Sequence, residues 1–269
     1  MGKRTRSSTS FSQLSGELFL TLGVLLLLFA FYEAFWTNLA SGRLQAQADA
    51  GLAETWEEDG GQRVNPRSAR TLELGAAFAR IHVPSYGSDW QYAIVEGTDE
   101  EALLAGPGRY TDTQLPGEAG NFAVAGHRVG KGAPFNDLGA LAVCDAVVIE
   151  TQHEWITYRI LPMSSDGEQR RAEAADCFTP AQTQRIAAGD YAHVAGRHIT
   201  LPGDVGVLDP VPGQGTPPDD APTANLESLL TLTTCHPQFS NRERMIVHAM
   251  AVDTQPKVPG QRPAVLKEN

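Results

Sequence analysis

Short apolar segments divided by glycine and proline fill the chain from about residue 76, and they limit its possible folds most strongly. Segments rich in β-branched and aromatic residues, bounded by turn residues, are typical of strands. In one of them, Thr157 and Arg159 alternate with apolar residues. The seven predicted strands are Phe78–Val83, Tyr92–Val95, Asn121–Ala125, Ala146–Thr151, Trp155–Leu161, Leu229–Cys235 and Met245–Val252. Many short strands with intervening turns predict an all-β barrel or sandwich.

An insertion at about residues 163–200 interrupts this pattern. Thr179 and Pro180 precede the sequence AQTQRIAAG, which gives a helix N-cap, a proline in the first turn and a C-terminal glycine. The insertion is therefore expected to contain a short helix. Residues 209–224 are rich in proline and glycine and predict a surface loop.

An apolar segment near the N-terminus, Leu18 to Trp36, indicates a membrane anchor. As a helix it covers roughly 28 Å, which matches the hydrocarbon core of a bilayer. Lys3, Arg4 and Arg6 precede it, so the positive-inside rule places the N-terminus in the cytoplasm and the rest outside. The alternative is a cleaved signal peptide, but this segment is longer and ends in aromatic residues.

The predicted organisation has five parts. They are a cytoplasmic N-terminus (1–16), a single-pass transmembrane anchor (17–39), an extracellular stalk helix and linker (40–75), the main domain (76–254) and a disordered tail (255–269). The stalk helix is expected at 40–57 because Ala, Gln and Glu favour helices, and the linker at 58–72 because it holds Gly, Asn and Pro.

Charge and cysteine content narrow the function. A formal net charge of −11 argues against nucleic acid or an anionic membrane surface as the main partner. The three cysteines form an odd set, so at least one thiol stays outside any intramolecular disulfide. Cys144 and Cys177 are candidates for a disulfide outside the membrane, which would leave Cys235 free. Their spacing alone does not establish that pairing, because it depends on geometry.

Three polar residues at strand ends indicate a reactive site. Leu230–His236, LTLTTCH, carries Cys235 at the end of a strand, and Arg244 begins the run RMIVHAMAV nine residues later. Two antiparallel strands joined by a loop of this length would set Arg244 beside Cys235. Upstream, NFAVAGHR presents His127 directly after a strand and a glycine. Together they supply a nucleophile, a proton carrier and a fixed cation.

These stretches resemble the signature motifs of sortases, the cysteine transpeptidases of Gram-positive cell surfaces. The resemblance covers about 76–253 and is carried by NFAVAGHR, LTLTTC and RERMIV. Further matching pieces are IHVP (81–84), VEGT (95–98) and GPGRY (106–110). GPGRY together with TTCHP is most similar to class E sortases of actinobacteria. The resemblance implies a sortase-like closed β-barrel of about eight strands with short helices.

The resemblance also implies catalytic roles for Cys235 as nucleophile, His127 as general acid and Arg244 as oxyanion or substrate donor. Arg242 competes for the arginine role, but the family's arginine stands immediately before the apolar strand, as Arg244 does here. His236 competes as the base, although adjacent strand residues point to opposite faces.

The implied reaction is cleavage of a Thr–Gly bond in an LAxTG- or LPxTG-like C-terminal sorting signal through a thioacyl enzyme. The partners are then secreted proteins that carry this signal and a cell-wall amine on a peptidoglycan precursor. Tyr110 and Thr234 are expected to bind substrate. No cofactor is expected, and no metal, because His82, His153, His193 and His198 lack the spacing of a tetrahedral site. The alternatives are a non-catalytic module that binds sorting signals and a thiol hydrolase that uses the same residues.

Overall fold

A computed structural model describes residues 11–32, 37–58, 72–215 and 225–268. Its α-helices are α1 (Phe11–Phe31), α2 (Thr37–Glu58), α3 (Glu100–Ala105), α4 (Gly167–Ala174) and α5 (Pro180–Ala188). Its strands are β1 (Ala77–His82), β2 (Gln91–Glu96), β3 (Gly108–Arg109), β4 (Gly120–Ala125), β5 (Ala146–Glu150), β6 (Glu154–Ile160), β7 (Arg197–Thr200), β8 (Ser228–His236) and β9 (Glu243–Pro256).

Eight of these strands close a barrel, which confirms the predicted fold. Around the ring the order is β1, β2, β3, β4, β8, β9, β6 and β5, and β5 pairs with β1 again. The long strand β9 completes the ring because it pairs with β8 along one edge and with β6 along the other. Strand β7 adds to β9 beyond the end of β6, with Arg197 opposite Val247.

Side chains that alternate along β9 divide between two apolar clusters. Met245, Val247 and Ala249 lie in the barrel interior, as expected for alternate residues of one strand. Met250 lies on the opposite face, in a second cluster beneath the insertion. Full burial of a Val, Leu or Met side chain is worth roughly 1.5–3 kcal/mol, so β9 stabilises both clusters at once.

The insertion folds as a compact helical layer. Helix α5 begins at the predicted cap, where Thr179 and Gln182 form a reciprocal capping box. Helix α4 was not predicted; its cap is Asp166, whose carboxylate accepts from the amides of Glu168 and Gln169. A disulfide joins Cys144 to Cys177 and confirms the candidate pairing, so Cys235 is the one free cysteine of the three.

A buried arginine organises this layer. Arg170 is 1% exposed, and its guanidinium donates only to backbone carbonyl groups. The acceptors are the carbonyl oxygens of Pro162 (3.3 Å), Ser164 (3.0 Å), Ile186 (2.9 Å), Tyr191 (3.2 Å) and Val194 (2.9 Å). These carbonyls come from the start of the insertion, from α5 and from the turn after it. One side chain therefore joins the start of the insertion, α5 and the turn after α5.

Both ends of the chain differ from the sequence-based expectation. The tail expected to be disordered is ordered as far as Glu268: Ala264–Lys267 form a 3-10 helix, and Leu266 is 6% exposed against Val148 and Trp155. The polar composition of the tail concealed this apolar anchor, in which Val265 also packs against the cluster. Most of the expected linker (59–71) and residues 216–224 of the expected loop lie outside the described residues.

The N-terminal apolar helix is present, but it begins earlier than expected. Helix α1 is long and apolar enough to cross a membrane by length and composition, and none of its described residues is buried. Helix α2 matches the expected stalk helix in extent. It lies against α3 and the first two strands of the barrel, however, and does not stand free as a stalk.

Candidate active site

The ends of two neighbouring parallel strands define the site. Strand β4 pairs in parallel with β8, and the register ends with Ala125 opposite Thr233. His127 lies two residues after Ala125, and Cys235 lies two residues after Thr233. Both line one cleft of about 440 Å³. The remaining lining residues are Arg128, Val129, Phe239, Ser240 and Asn241. The predicted nucleophile and proton carrier therefore share a cleft, although they are 108 positions apart.

Close packing holds the turn between β4 and His127. The amide of Gly126 donates to the Thr233 carbonyl (3.0 Å), and the Thr234 hydroxyl donates to the Gly126 carbonyl (2.7 Å). A Cβ atom at Gly126 would lie 2.5 Å from the ring of Phe135, so only glycine fits there. Thr234, for which a substrate contact is expected from the sequence, is 3% exposed. Its hydroxyl holds the turn that leads to His127.

The imidazole of His127 is half-buried and short of partners. Its Nε2 atom is buried and has no hydrogen-bond partner among the described residues. Burial lowers the pKa of His127, and the nearby Lys131 ammonium lowers it further, whereas the Glu100 carboxylate raises it. The uncharged ring is therefore favoured in the resting cleft.

Arg244 lies opposite Cys235 in the β8–β9 ladder, as the sequence predicted. Its Nη1 atom donates to the backbone carbonyls of Asn241 (3.0 Å) and Glu243 (2.9 Å), and Arg244 is not among the residues that line the cleft. The competing Arg242 is exposed. The ladder therefore sets the Arg244 backbone beside the thiol-bearing residue, and its guanidinium rests on the loop between the two strands.

A second arginine was missed by the sequence analysis, although it follows His127 directly in the motif. Arg128 Nη1 donates to the Cys235 carbonyl (3.3 Å) and lies 2.6 Å from Nδ1 of His236. A guanidinium has no acceptor, so Nδ1 accepts and the ring proton is on Nε2. The lone pair that His236 would need as a base is therefore occupied, which argues for His127 in that role.

Two further motif residues prove to be structural. Glu96 and Arg109 form a buried pair with two hydrogen bonds, of 2.6 and 2.7 Å, which joins the stretches VEGT and GPGRY. A Cβ atom at Gly108 would lie 2.1 Å from the Gly97 carbonyl oxygen, so the glycine permits this close approach. The hydroxyl of Tyr110, the residue after Arg109, lies 2.9 Å from the hydroxyl of Thr233, near the end of β8.

Potential metal ligands do not cluster within the described residues. Within the residues that the structure describes, no cluster of three His, Cys, Asp or Glu side chains is placed to hold a metal ion. Buried His82 instead lies 3.0 Å from the Glu150 carboxylate, and His198 stacks on His248 with ring centroids 5.4 Å apart.

A free thiol at a strand end and a half-buried imidazole in the same cleft of a closed β-barrel define a cysteine acyl-transfer enzyme. The Sortase domain model matches residues 81–252, and the chain belongs to the sortase family. Sortases are cysteine transpeptidases, and two curated relatives, SrtE1 and SrtE2 of Streptomyces coelicolor, are class E sortases.

Relatives with solved structures agree with this assignment. The chain is 59% identical to the SrtF sortase of Corynebacterium diphtheriae, with a TM-score of 0.71 over 77% of this chain and 100% of that one. It is 33% identical to sortase E of Streptomyces avermitilis, with a TM-score of 0.51 over 72% and 99% of the two chains.

A curated relative, Sortase SrtE1 of Streptomyces coelicolor, is 31% identical over 95% of this chain. The match spans 61% of the length of SrtE1.

Proposed function

We propose that this chain is a membrane-anchored sortase that cleaves an LAxTG- or LPxTG-like sorting signal between Thr and Gly. It then transfers the shortened protein to an amine on a peptidoglycan precursor. The observation that carries the proposal is the shared cleft of Cys235, the only cysteine outside the disulfide, and His127. Family membership supplies the reaction class, and the cleft supplies its two reacting side chains.

The proposed chemistry uses three side chains. The Cys235 thiolate attacks the threonine carbonyl, and the C–N bond to glycine breaks as protonated His127 gives its proton to the leaving amine. The thioester that forms is then attacked by the acceptor amine, which returns a proton to His127 and frees the thiolate. Because burial disfavours the charged imidazole, the reactive protonation state of His127 is a minor one at neutral pH.

Arg244 is the proposed donor to the oxyanion or to a substrate carbonyl. A charge-assisted hydrogen bond is worth most where negative charge develops. Its present acceptors are backbone carbonyls on the loop beside the cleft, so substrate binding exchanges at least one of them for a substrate oxygen. Tyr110 is proposed to contribute to the choice of sorting signal, since its hydroxyl lies at the end of the strand that carries Cys235.

The proposed topology is single-pass, with the barrel outside the membrane. Helix α1 supplies a span of sufficient length, and the three basic residues that precede the apolar segment favour a cytoplasmic N-terminus. The Cys144–Cys177 disulfide is typical of an oxidising compartment, which agrees with an extracellular barrel.

The test uses the full chain in detergent micelles with LAxTG and LPxTG peptides, each with and without an added amine. Intact mass should show an acyl adduct on Cys235 and, with the amine, a transpeptidation product. Cys235→Ala should bind peptide without forming the adduct. Surviving turnover in Cys235→Ala would refute the assignment of the nucleophile.

Matched pairs test the other two roles. His127→Ala and Arg244→Ala should each abolish product, whereas His236→Ala and Arg242→Ala should retain most of it. An adduct that never forms in the wild type would favour a module that only binds sorting signals. Product that forms equally well without the amine would favour a hydrolase.

A further inference from the structure

Helix α2 contacts the loop that follows His127, residues 129–133. The Ser41 hydroxyl, on a residue that is 0% exposed, lies 2.9 Å from the Lys131 carbonyl and 2.7 Å from the Leu104 carbonyl. Gln45 donates from its side-chain amide to the Lys131 carbonyl (3.3 Å). One turn before Ser41, the Asn38 side chain accepts from the Gly132 amide (3.1 Å). Three side chains of one helix thus hold two consecutive residues of this loop.

The loop has a backbone conformation that needs such support. Four consecutive residues, 130–133, have positive φ angles, and two of them are not glycine: Lys131 (φ 51°) and Ala133 (φ 39°). Positive φ is unfavourable for residues with a Cβ and persists where the surrounding structure imposes it. On its other side, the loop is held by the Tyr92 hydroxyl, which donates to the Gly132 carbonyl (3.2 Å).

The position of this loop affects His127 directly. The loop leaves from His127 and returns to it, since the Phe135 amide donates to the His127 carbonyl (3.0 Å). Lys131, at its centre, is a cation that lowers the pKa of the imidazole. A change in the loop would therefore alter both the placement of the ring and its charge.

The far end of α2 is fixed to the barrel as well. Leu52 is 2% exposed, and Asp49 forms an ion pair with Arg80 on β1. The Trp56 ring lies under the Arg80 guanidinium (4.8 Å) and under the Lys257 ammonium (3.7 Å). Contacts at both ends make α2 a rigid part of the main domain.

We propose that α2 is a positioning element of the active site: it holds residues 129–133 and, through them, His127. This inference rests on the proposed function, because it assigns a role to α2 in the same reaction. Since Asn38 is seven residues beyond the end of α1, chain geometry keeps Asn38, which contacts this loop, within about 25 Å of that end. The membrane anchor and the cleft are therefore joined by a short connection and not by a free stalk.

The test detaches α2 by a point substitution in the full chain. Leu52→Asp places a charge on the buried face, whereas Leu44→Asp makes the same change at a position of the same helix that is 38% exposed. We expect kcat of Leu52→Asp to fall about tenfold with a smaller change in KM. Its pH–rate profile should also change. Leu44→Asp should match the wild type.

Hydrogen exchange gives a readout that does not depend on turnover. Amides of residues 129–133 should exchange at least tenfold faster in Leu52→Asp, while the core strands β4 and β8 keep their protection. Ser41→Ala, which adds no charge, should give a smaller change in the same direction. It replaces Leu52→Asp as the test variant if Leu52→Asp unfolds the barrel. Faster exchange in α2 itself with unchanged exchange in 129–133, or with unchanged kcat and pH profile, would overturn the proposal. A wild type without transpeptidation would refute the proposed function but leave the exchange test valid.

Discussion

Replacement of Arg170 by methionine should strongly destabilise the insertion. The substitution keeps most of the apolar stem and removes the guanidinium, which is 1% exposed in the wild type and bonds to five backbone carbonyls. Methionine offers no donor in return. Every carbonyl in the set would have to find water or remain unsatisfied.

The size of the effect follows from the other bonds of those carbonyls. Two of the five, on Pro162 and Tyr191, also accept from the amides of Gly196 and Val194. The other three lose a charge-assisted bond, and each unsatisfied buried group costs about 1–3 kcal/mol. Part of this is offset because a cation no longer has to be buried. We therefore expect a loss of about 3–5 kcal/mol, the usual cost of removing one side of a buried charged network.

Urea unfolding and thermal unfolding measure this loss. In a domain of this size, 1 kcal/mol shifts Tm by about 2–4 °C, so Tm of Arg170→Met should fall by roughly 6–20 °C. Limited proteolysis should show new cleavage within residues 163–211. The control is Arg171→Met, the neighbouring residue, which is exposed and has a single 3.5 Å hydrogen bond to Gln184. A free energy of unfolding for Arg170→Met within about 1 kcal/mol of this control would refute the reasoning.

Two further predictions concern the cysteines and the histidine of the site. In denaturant, the native chain should have one reactive thiol before reduction and three after it. Replacing both Cys144 and Cys177 by serine should lower the free energy of unfolding in urea by about 4 kcal/mol, as expected for a closed loop of this length. An unchanged free energy of unfolding would contradict the disulfide. Lys131→Met should raise the pKa of His127 and Glu100→Gln should lower it further, both measured by NMR titration of the imidazole, and shifts of the same sign would contradict this account.

The same lowered pKa predicts how stability depends on pH. The folded state binds fewer protons at His127 than the unfolded state does, so this residue lowers stability as pH falls below the ordinary histidine pKa of about 6.5. The contribution disappears above that pH, where both states are neutral. Urea unfolding of His127→Gln against the wild type at pH 5 and pH 8 measures it, and a difference that does not vary with pH would contradict the lowered pKa.

The strands were predictable because each carries its own pattern of apolar residues. All seven predicted strands are present in the barrel with small changes at their ends. The two that were missed have little pattern to read: β3 is only Gly108–Arg109, and β7 is the short segment RHIT. Both exist because a neighbouring strand offers free backbone groups, which is a tertiary cause that local sequence does not contain.

The contacts between elements were less predictable than the elements. Helix α2 was expected as a stalk because it is rich in Ala, Gln and Glu with only a weak apolar stripe, yet the buried residues Ser41 and Leu52 dock it on the domain. Ser41 is polar, and its fit depends on carbonyl groups of distant loops. Arg170 likewise lies in a strongly polar stretch that gives no sign of burial. A hydrophobic pattern reports apolar contacts and misses those made through backbone carbonyls.

The meeting of His127 with Cys235 follows from strand direction more than from the motifs themselves. Parallel neighbours end at the same edge of a sheet, and β4 and β8 are parallel with their last pair at Ala125 and Thr233. His127 lies two residues after the end of β4, and Cys235 lies near the end of β8, two residues beyond the last pair. An antiparallel pair would have sent these side chains to opposite ends of the barrel. The chemistry of the cleft therefore depends on a pairing of segments more than one hundred residues apart, and a change that shifts the β4–β8 register should remove activity without touching either residue.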